Sequence, residues 1–277
     1  MQVGLIGAGH IGGLLADALF ETEHALVVYD ADESQVTPLT DRGASAAPDP
    51  AAVGERCDAV FLALPGAPEV TAVTLEAGLI DALDAGDCLI DTSTTGPDAA
   101  AEVAASAADR DVAFVSAPVT RGGPGGAETL HAMVGGGDAD CAAAADLLDA
   151  VTMGHERIGD AAAAQRFKLL LQARYAGQAA VDAEVVAAGR DLNLPIELLG
   201  SFLDLDVSER LLADDFSPAH PGMGGFAIWK KDLGYLLEET AETGTATPLS
   251  AAVHAAYKHA DRVREEGDRN AAAIVRH

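Results

Sequence analysis

The chain has 277 residues, a length that predicts about two domains. Hydrophobic residues form 49% of it and the mean hydropathy is +0.16, which excludes a chain that is disordered as a whole. No apolar run approaches the ~20 residues that cross a bilayer, and the first residues lack the basic flank of a signal peptide. We therefore expect a globular protein of the cytoplasm with no membrane partner.

Acidic residues dominate the charge, since 44 Asp and Glu stand against 17 Lys and Arg and the formal net charge is −27. This charge excludes nucleic acid as a partner, because it repels phosphates and offers no basic stripe. Self-repulsion of this size destabilises a compact state until salt screens it. The composition predicts a protein from a high-salt cytoplasm, with an ordinary acidic surface that favours solubility as the alternative.

Cys57, Cys88 and Cys141 form no CxxC pair and have no His at ligand spacing. Neither a disulfide framework nor a zinc site is expected from this arrangement. The histidines of the chain also have no second metal ligand at a suitable spacing in the sequence, so no metal site is predicted.

The first half of the chain alternates short apolar strands with helical stretches. The predicted strands are rich in β-branched or aromatic residues and are bounded by Gly, Asp or Pro. They are Val3–Ile6, Ala25–Tyr29, Ala59–Leu62, Cys88–Ile90 and Val112–Val115, with further candidates at His131–Val134 and His155–Ile158. Helices are predicted between them at Ile11–Phe20 and Pro97–Ala108. This alternation makes βαβ units and a parallel sheet covered by helices on both faces.

The pattern changes at Gly159-Asp160, where a long proline-free segment with a helical apolar period begins and runs to Arg190. Later segments separated by Gly, Pro and Asp predict helices. They are Pro195–Leu203, Val207–Ala213, Phe226–Thr240, Pro248–Ala260 and Asp268–Val275. The predicted fold class is α/β: a Rossmann-type doubly wound sheet in residues 1–160, then an all-α substrate and oligomerisation domain in 161–277, joined by a long interdomain helix.

The segment after the first strand, Gly7-Ala8-Gly9-His10-Ile11-Gly12, has the form GxGxxG. In a strand–turn–helix setting, these glycines let the backbone approach a pyrophosphate at the amino end of the helix. The alternative interpretation is that these glycines only form ordinary tight turns. The second strand ends at Asp30, where an acid bonds the ribose hydroxyls, and Ala31 supplies no Arg for a 2′-phosphate. NAD is therefore favoured, with NADP as the alternative cofactor.

Further motifs in the same order resemble those of the 3-hydroxyisobutyrate dehydrogenase family, also called β-hydroxyacid dehydrogenases, over nearly the full length. They are Phe61–Val70 (its "LP…xxV" segment), Asp91–Pro97 ("DxSTxxP"), Ala117–Gly123 ("APVSGG") and Met133–Gly136 ("MVGG"). The resemblance implies that Leu64, Pro65 and Thr94 contact the cofactor. It also implies that Thr120 and Gly122 hold a substrate carboxylate.

Gly159 stands nine residues before Lys168, the family's spacing to its catalytic lysine. The resemblance implies that Lys168 is the general base in alcohol oxidation and the general acid in carbonyl reduction, which suits a residue whose pKa responds readily to burial. A solvated helix lysine is the alternative. Gln172 lies one turn further on the same helix face. It takes the place of a family Asn that hydrogen-bonds substrate.

The segment Phe226–Leu233 resembles the family's "FxxxxxKDL" stretch, in which Lys231 reaches the cofactor. An exposed ion pair with Asp232 is the alternative. The substrate loop departs from the family pattern, because Thr120 replaces Ser and Arg121 replaces the first Gly. Arg121 either clamps a substrate carboxylate, sulfonate or phosphate as a bidentate fork or points outward to the acidic surface. His10 occupies a variable position and is expected to present only its backbone to the cofactor.

These features predict an NAD-dependent oxidoreductase that interconverts a small β-hydroxyacid and its semialdehyde. The resemblance implies a homodimer or homotetramer formed through the helical half. Two alternatives are an oxidative decarboxylase similar to 6-phosphogluconate dehydrogenase and a catalytically silent dinucleotide-binding module.

Overall fold

The computed structural model describes residues 1–121, 125–203, 226–263 and 274. The chain divides into two compact units, Met1–Lys168 and Leu169–His277. The sequence-based division after residue 160 falls at the start of a long helix, whereas the compact units divide inside that helix. The predicted fold class, a Rossmann-type sheet followed by a helical region, is confirmed.

The first unit contains one sheet, to which the described residues contribute nine strands. They are β1 (Gln2–Ile6), β2 (Ala25–Tyr29), β3 (Ser45–Ala46), β4 (Ala59–Leu62), β5 (Cys88–Asp91), β6 (Ala113–Ser116), β7 (Val119–Arg121), β8 (Leu130–Gly135) and β9 (Gly154–Gly159). The first six pair in parallel in the order β3-β2-β1-β4-β5-β6. Strand order reverses at β1, which lies between β2 and β4, and ligands of open parallel sheets bind beside such a point at the carboxyl ends of the strands.

The strand β8 runs against this direction and joins the last strands to the sheet. Ser116 of β6 pairs with Gly135, and Val119 of β7 pairs with Ala132, both antiparallel. The strand β9 pairs in parallel with the same part of β8, so β9 occupies the opposite edge. Consequently β7 continues the line of β6 along one edge of β8, which places Thr120 and Arg121 immediately beyond the parallel sheet.

Helices cover both faces of the sheet in the first unit. They are α1 (His10–Phe20), α2 (Glu33–Thr40), α3 (Pro50–Gly54), α4 (Ala67–Thr71), α5 (Leu79–Ala82), α6 (Pro97–Ala108) and α7 (Asp138–Val151), with a π-helical turn at Ala72–Glu76 and a 3₁₀ turn at Ala127–Thr129. Alternate strand residues enter two hydrophobic cores, because successive side chains of a strand point to opposite faces. Leu5 and Phe61 belong to one core, whereas Ile6 and Leu62 belong to the other.

The long helix predicted from residue 161 is α8, Ala161–Asp191, with 31 residues. The second unit continues with α9 (Ile196–Leu203), α10 (Phe226–Thr243) and α11 (Pro248–Val263). Its core forms around Tyr257, whose buried hydroxyl donates to the Ala176 carbonyl at 3.2 Å and whose ring centre lies 5.4 Å from that of Trp229. The helices predicted at 207–213 and 268–275 lie outside the described residues, apart from Ile274. No helix in the described part of the chain is long and apolar enough to cross a membrane.

Candidate functional site

The glycine-rich loop between β1 and α1 has the shape that its sequence requires. Gly7 has φ +92°, a backbone region that favours glycine, and a Cβ at Gly12 would lie 1.8 Å from the Gly7 carbonyl oxygen. A Cβ at Gly9 would meet nothing within 4 Å, and Gly9 caps α1 without any side-chain hydrogen bond. The helix therefore presents backbone N–H groups beside an open cradle, which fits a pyrophosphate group.

Asp30 joins the end of β2 to this loop. One carboxylate oxygen accepts the backbone N–H of Ala8 at 2.6 Å, and the other accepts that of Asp32 at 2.8 Å. After Ala31 come Asp32 and Glu33, so the end of β2 at which a fold of this class holds the adenosine ribose is acidic. The loop and this acid together fit a dinucleotide.

The loops that follow β4 and β5 are bonded to each other at the same edge of the sheet. The Ser93 hydroxyl accepts the Leu64 N–H at 2.9 Å, and the Thr92 hydroxyl donates to the Leu62 carbonyl at 2.6 Å. Pro65 and Thr94 are the next residues of the two loops. The predicted cofactor contacts Leu64, Pro65 and Thr94 therefore lie near one another, at the carboxyl ends of β4, which adjoins β1, and of β5, which adjoins β4.

Gln165 on α8 is a residue that the sequence analysis did not identify. Its side chain is fully buried and its oxygen accepts the N–H groups of Thr95 and Gly96 at 3.0 and 3.3 Å. Its amide nitrogen donates to the Ser93 carbonyl and the Ser116 hydroxyl at 3.1 and 2.9 Å. Gln165 thus attaches the start of α8 to the β5 loop and to β6. The contacts span 49 to 72 residues of sequence, so no local pattern signals them.

Lys168 lies one turn beyond Gln165 on α8 and is only 5% exposed. Its Nζ donates to the Val119 carbonyl at 2.9 Å, on the strand that carries Thr120 and Arg121. The alternative of a solvated helix lysine is wrong, because the side chain is buried.

The guanidinium of Arg121 is directed at the glycine-rich loop. Its Nη1 lies 3.0 Å from Nε2 of His10, and its Nη2 donates to the Gly125 carbonyl at 2.6 Å. The side chain of His10 therefore contacts Arg121, in addition to any contact that its backbone makes with a cofactor. The predicted carboxylate ligand Gly122 lies outside the described residues.

In the second unit, Asp232 bonds to two of the predicted site residues. Gln172, which is 9% exposed, donates from its amide nitrogen to Asp232 at 2.6 Å, and Nζ of Lys231 lies 3.0 Å from the other carboxylate oxygen. Asp232 itself is 1% exposed. The alternative of an exposed Lys231–Asp232 ion pair is therefore wrong. Within the described residues, no three His, Cys, Asp or Glu side chains gather as metal ligands.

Comparison with known proteins agrees with this geometry. Residues 2–159 match the NAD-binding domain of 6-phosphogluconate dehydrogenase. A probable mitochondrial 3-hydroxyisobutyrate dehydrogenase of Dictyostelium discoideum is 30% identical, over 92% of this chain and 84% of its own length. An NAD-dependent L-serine dehydrogenase of Pseudomonas aeruginosa is 28% identical, over 93% of this chain and 91% of its own. The solved structure of Psf3 in complex with NADP⁺ and 2-OPP superposes with a TM-score of 0.83, at 22% identity over 98% of each chain.

Proposed function

Because the chain belongs to the 3-hydroxyisobutyrate dehydrogenase family, we propose that it is an NAD-dependent dehydrogenase of a short β-hydroxyacid in which Lys168 moves the proton. That it is an oxidoreductase acting on a β-hydroxyacid with a nicotinamide cofactor follows from the family. The choice of NAD, the identity of the acid and the role of each residue are proposals. The observation that carries the proton-transfer role is the buried side-chain nitrogen of Lys168, held against β7.

The cofactor would be held by the first unit. The open cradle at Gly9 and the N–H groups at the start of α1 would receive the pyrophosphate. The proposed pyrophosphate contacts are the residues of the glycine-rich loop: Gly7, Ala8, Gly9, His10, Ile11 and Gly12. The proposed contacts to other parts of the cofactor are Leu64, Pro65, Thr94 and Lys231. When bound, the nicotinamide ring supplies the acceptor or donor of a hydride.

The preference for NAD rests on the acids after β2. Asp30 would accept hydrogen bonds from ribose hydroxyls, whereas Asp32 and Glu33 would repel a 2′-phosphate. Ala31, where an NADP site favours an Arg, is exposed and uncharged. The Pseudomonas relative carries NAD dependence in its name, which supports this choice.

Lys168 would exchange the proton of the reacting hydroxyl. An ammonium group has three N–H bonds, and the Val119 carbonyl accepts one of them, which fixes the position of the nitrogen. In alcohol oxidation the neutral amine takes the hydroxyl proton as a hydride leaves the same carbon. In carbonyl reduction the ammonium returns that proton to the oxygen.

The substrate carboxylate would be held from the strand that Lys168 contacts. We assign this role to Thr120 on that strand and, from the family resemblance, to Gly122, and propose that the fork of Arg121 adds a positive charge beside Thr120. The contact with His10 fixes the direction of the guanidinium. Gln172, whose amide is oriented by its bond to Asp232, would position the substrate.

We also propose a homodimer or homotetramer assembled through the helical domain. On α9, Leu198, Phe202 and Leu203 are 54, 81 and 49% exposed, which is an unusual amount of apolar surface for an isolated chain. A monomer mass in gel filtration at high salt would contradict this assembly.

The experiment is an initial-rate assay in molar KCl, in which NAD(H) and NADP(H) are each tested with short β-hydroxyacids, semialdehydes and 6-phosphogluconate. Preferred turnover of one short acid with NAD is expected. Turnover with 6-phosphogluconate alone would instead favour the oxidative decarboxylase. Cofactor binding without turnover of any substrate would favour the silent binding module.

A further inference from the structure

Positive charge gathers at one place in the helical unit of this acidic chain. The chain has four lysines, and three of them, Lys230, Lys231 and Lys258, line one pocket between α10 and α11 together with Arg262. The pocket has a volume of about 420 Å³. It is formed within the second unit alone and lies outside the glycine-rich loop.

The pocket is built from one stripe of each helix. Lys230 and Glu238 stand eight residues apart on α10 with Gly234 between them, and His254, Lys258 and Arg262 follow one another at intervals of four on α11. Residues four apart lie one above another on a helix. A Cβ at Gly234 would lie 3.8 Å from Nε2 of His254, so glycine keeps the space between the stripes open.

The charges that line the pocket are not balanced. Four cationic side chains line the pocket with two carboxylates, those of Glu238 and Asp261, while the whole chain carries −27. One of the four, Lys231, is paired with Asp232, which lies outside the lining. Lys230 is paired with Asp261 at 2.5 Å. Lys258 and Arg262 form no ion pair with any of the residues that the structure describes. Like charges four residues apart repel each other, so an arrangement that brings Lys258 and Arg262 together is unfavourable without a bound anion.

The pKa of His254 is also affected by the positive charges of this pocket. Its pKa lies below the usual value, first because of burial and then because of the charges of Lys258 and Lys230, which Glu238 opposes only in part. After burial, the charges of Lys258 and Lys230 each outweigh the opposing charge of Glu238.

We propose that the pocket between α10 and α11 binds a small oxyanion of the phosphate type. Lys258 and Arg262, which Glu238 alone opposes among the lining residues once Lys230 and Lys231 are paired, attract an anion. Arg262 offers a planar fork to its oxygens, and Lys258 adds a point charge on the same stripe. Within the described residues, both side chains are exposed on α11.

The site is separate from the place proposed for the cofactor. The pyrophosphate cradle lies at the start of α1 in the first unit, whereas every lining residue of this pocket belongs to α10 or α11. Lys231 is common to the two proposals, so the variants that test the pocket leave it unchanged. The inference does not depend on the reaction that the enzyme catalyses.

The test is isothermal titration of the full chain with inorganic pyrophosphate at constant ionic strength, both free and saturated with NADH. One site is expected in the NADH-saturated chain, whereas the free chain also offers the cradle at the start of α1. The Lys258→Ala/Arg262→Ala variant should bind about tenfold or more weakly, because each charge-assisted bond contributes that order of affinity. The matched control is Arg166→Ala/Arg174→Ala, which removes two exposed arginines from α8 and should bind as the parent does.

Three results would overturn the proposal: equal loss in both double variants, abolition of pyrophosphate binding by NADH, or no binding at all to the folded chain. A milder variant, Lys258→Gln, keeps the test valid if the double variant fails to fold. The imidazole resonance of His254 gives an independent readout. Its pKa should rise on addition of pyrophosphate, and an unchanged titration curve would contradict occupation of this pocket.

Discussion

Gln165 accepts the backbone N–H of Thr95 at 3.0 Å from a position three residues before Lys168 on the same helix. The bond connects α8 to the loop after β5, and the same side chain reaches Ser93 and Ser116. A single buried amide thus fixes the start of the helix on which the proposed proton-transfer residue lies.

Replacing Gln165 with Leu should lower the free energy of unfolding. The substitution keeps a similar volume but leaves the Thr95 N–H and the Ser116 hydroxyl without their partner, at a cost of about 1–3 kcal/mol for each buried group. Urea denaturation in molar KCl measures the change. Glu184→Leu, at an exposed position of α8, is the control and should stay within about 0.5 kcal/mol of the parent in molar KCl. Equal effects of the two substitutions would show that the contacts of Gln165 contribute nothing specific.

Introducing Arg at position 31 should weaken the preference for NAD. The parent is expected to bind NADH more tightly than NADPH, because acids follow β2 and no cation is present beside them. Ala31→Arg offers a fork to a 2′-phosphate and should tighten NADPH binding by about tenfold. Fluorescence titration measures both affinities, with Ala101→Arg on α6 as a control for added charge. Tighter NADPH binding in the parent would contradict the assignment of Asp30.

The three thiols should differ in reactivity. Burial raises the pKa of Cys57 to about 11 and that of Cys88 to about 12, whereas Cys141 is partly exposed. Since the thiolate is the reactive form, Cys57 and Cys88 should react very slowly with a disulfide reagent at pH 8. One thiol is expected to react in the folded protein and three in denaturant. The fast phase should vanish in Cys141→Ser, and two fast thiols would show that a buried strand or loop opens.

Salt should stabilise the folded chain. At 1 M salt the Debye length is about 3 Å, so the mutual repulsion behind a net charge of −27 is largely screened. The thermal midpoint followed by circular dichroism should rise steeply with KCl, and the chain should unfold in dilute buffer and refold when KCl is restored. Sucrose is the control for general solute effects. Full stability in dilute buffer would favour the ordinary acidic surface instead.

Much of the first unit could be predicted from sequence because its signals are local. The strands β1, β2 and β4 are continuous apolar runs, and the loop from Gly7 to Gly12 needs glycine for steric reasons that act within a few residues. The helix α7 was not predicted, because its alanine-rich sequence has a weak apolar period and no side-chain cap at Gly137.

The site contacts that depend on distant segments could not be predicted in the same way. The bond between Arg121 and His10 joins residues 111 positions apart, and Asp232 acquires its burial and its bond to Gln172 only when α10 packs beside α8. Motif spacing identified Lys168, but only the fold shows that its nitrogen meets the Val119 carbonyl.

The central claim is that Lys168 moves the proton, and its most direct test is the turnover of Lys168→Ala beside that of Arg166→Ala. Both substitutions remove one positive charge from the same turn of α8, but Lys168 is buried and Arg166 is exposed. The account predicts that Lys168→Ala loses about 10²–10⁴ in kcat while NADH binding is retained, and that Arg166→Ala keeps the parent rate. Turnover by Lys168→Ala at the parent rate would contradict it.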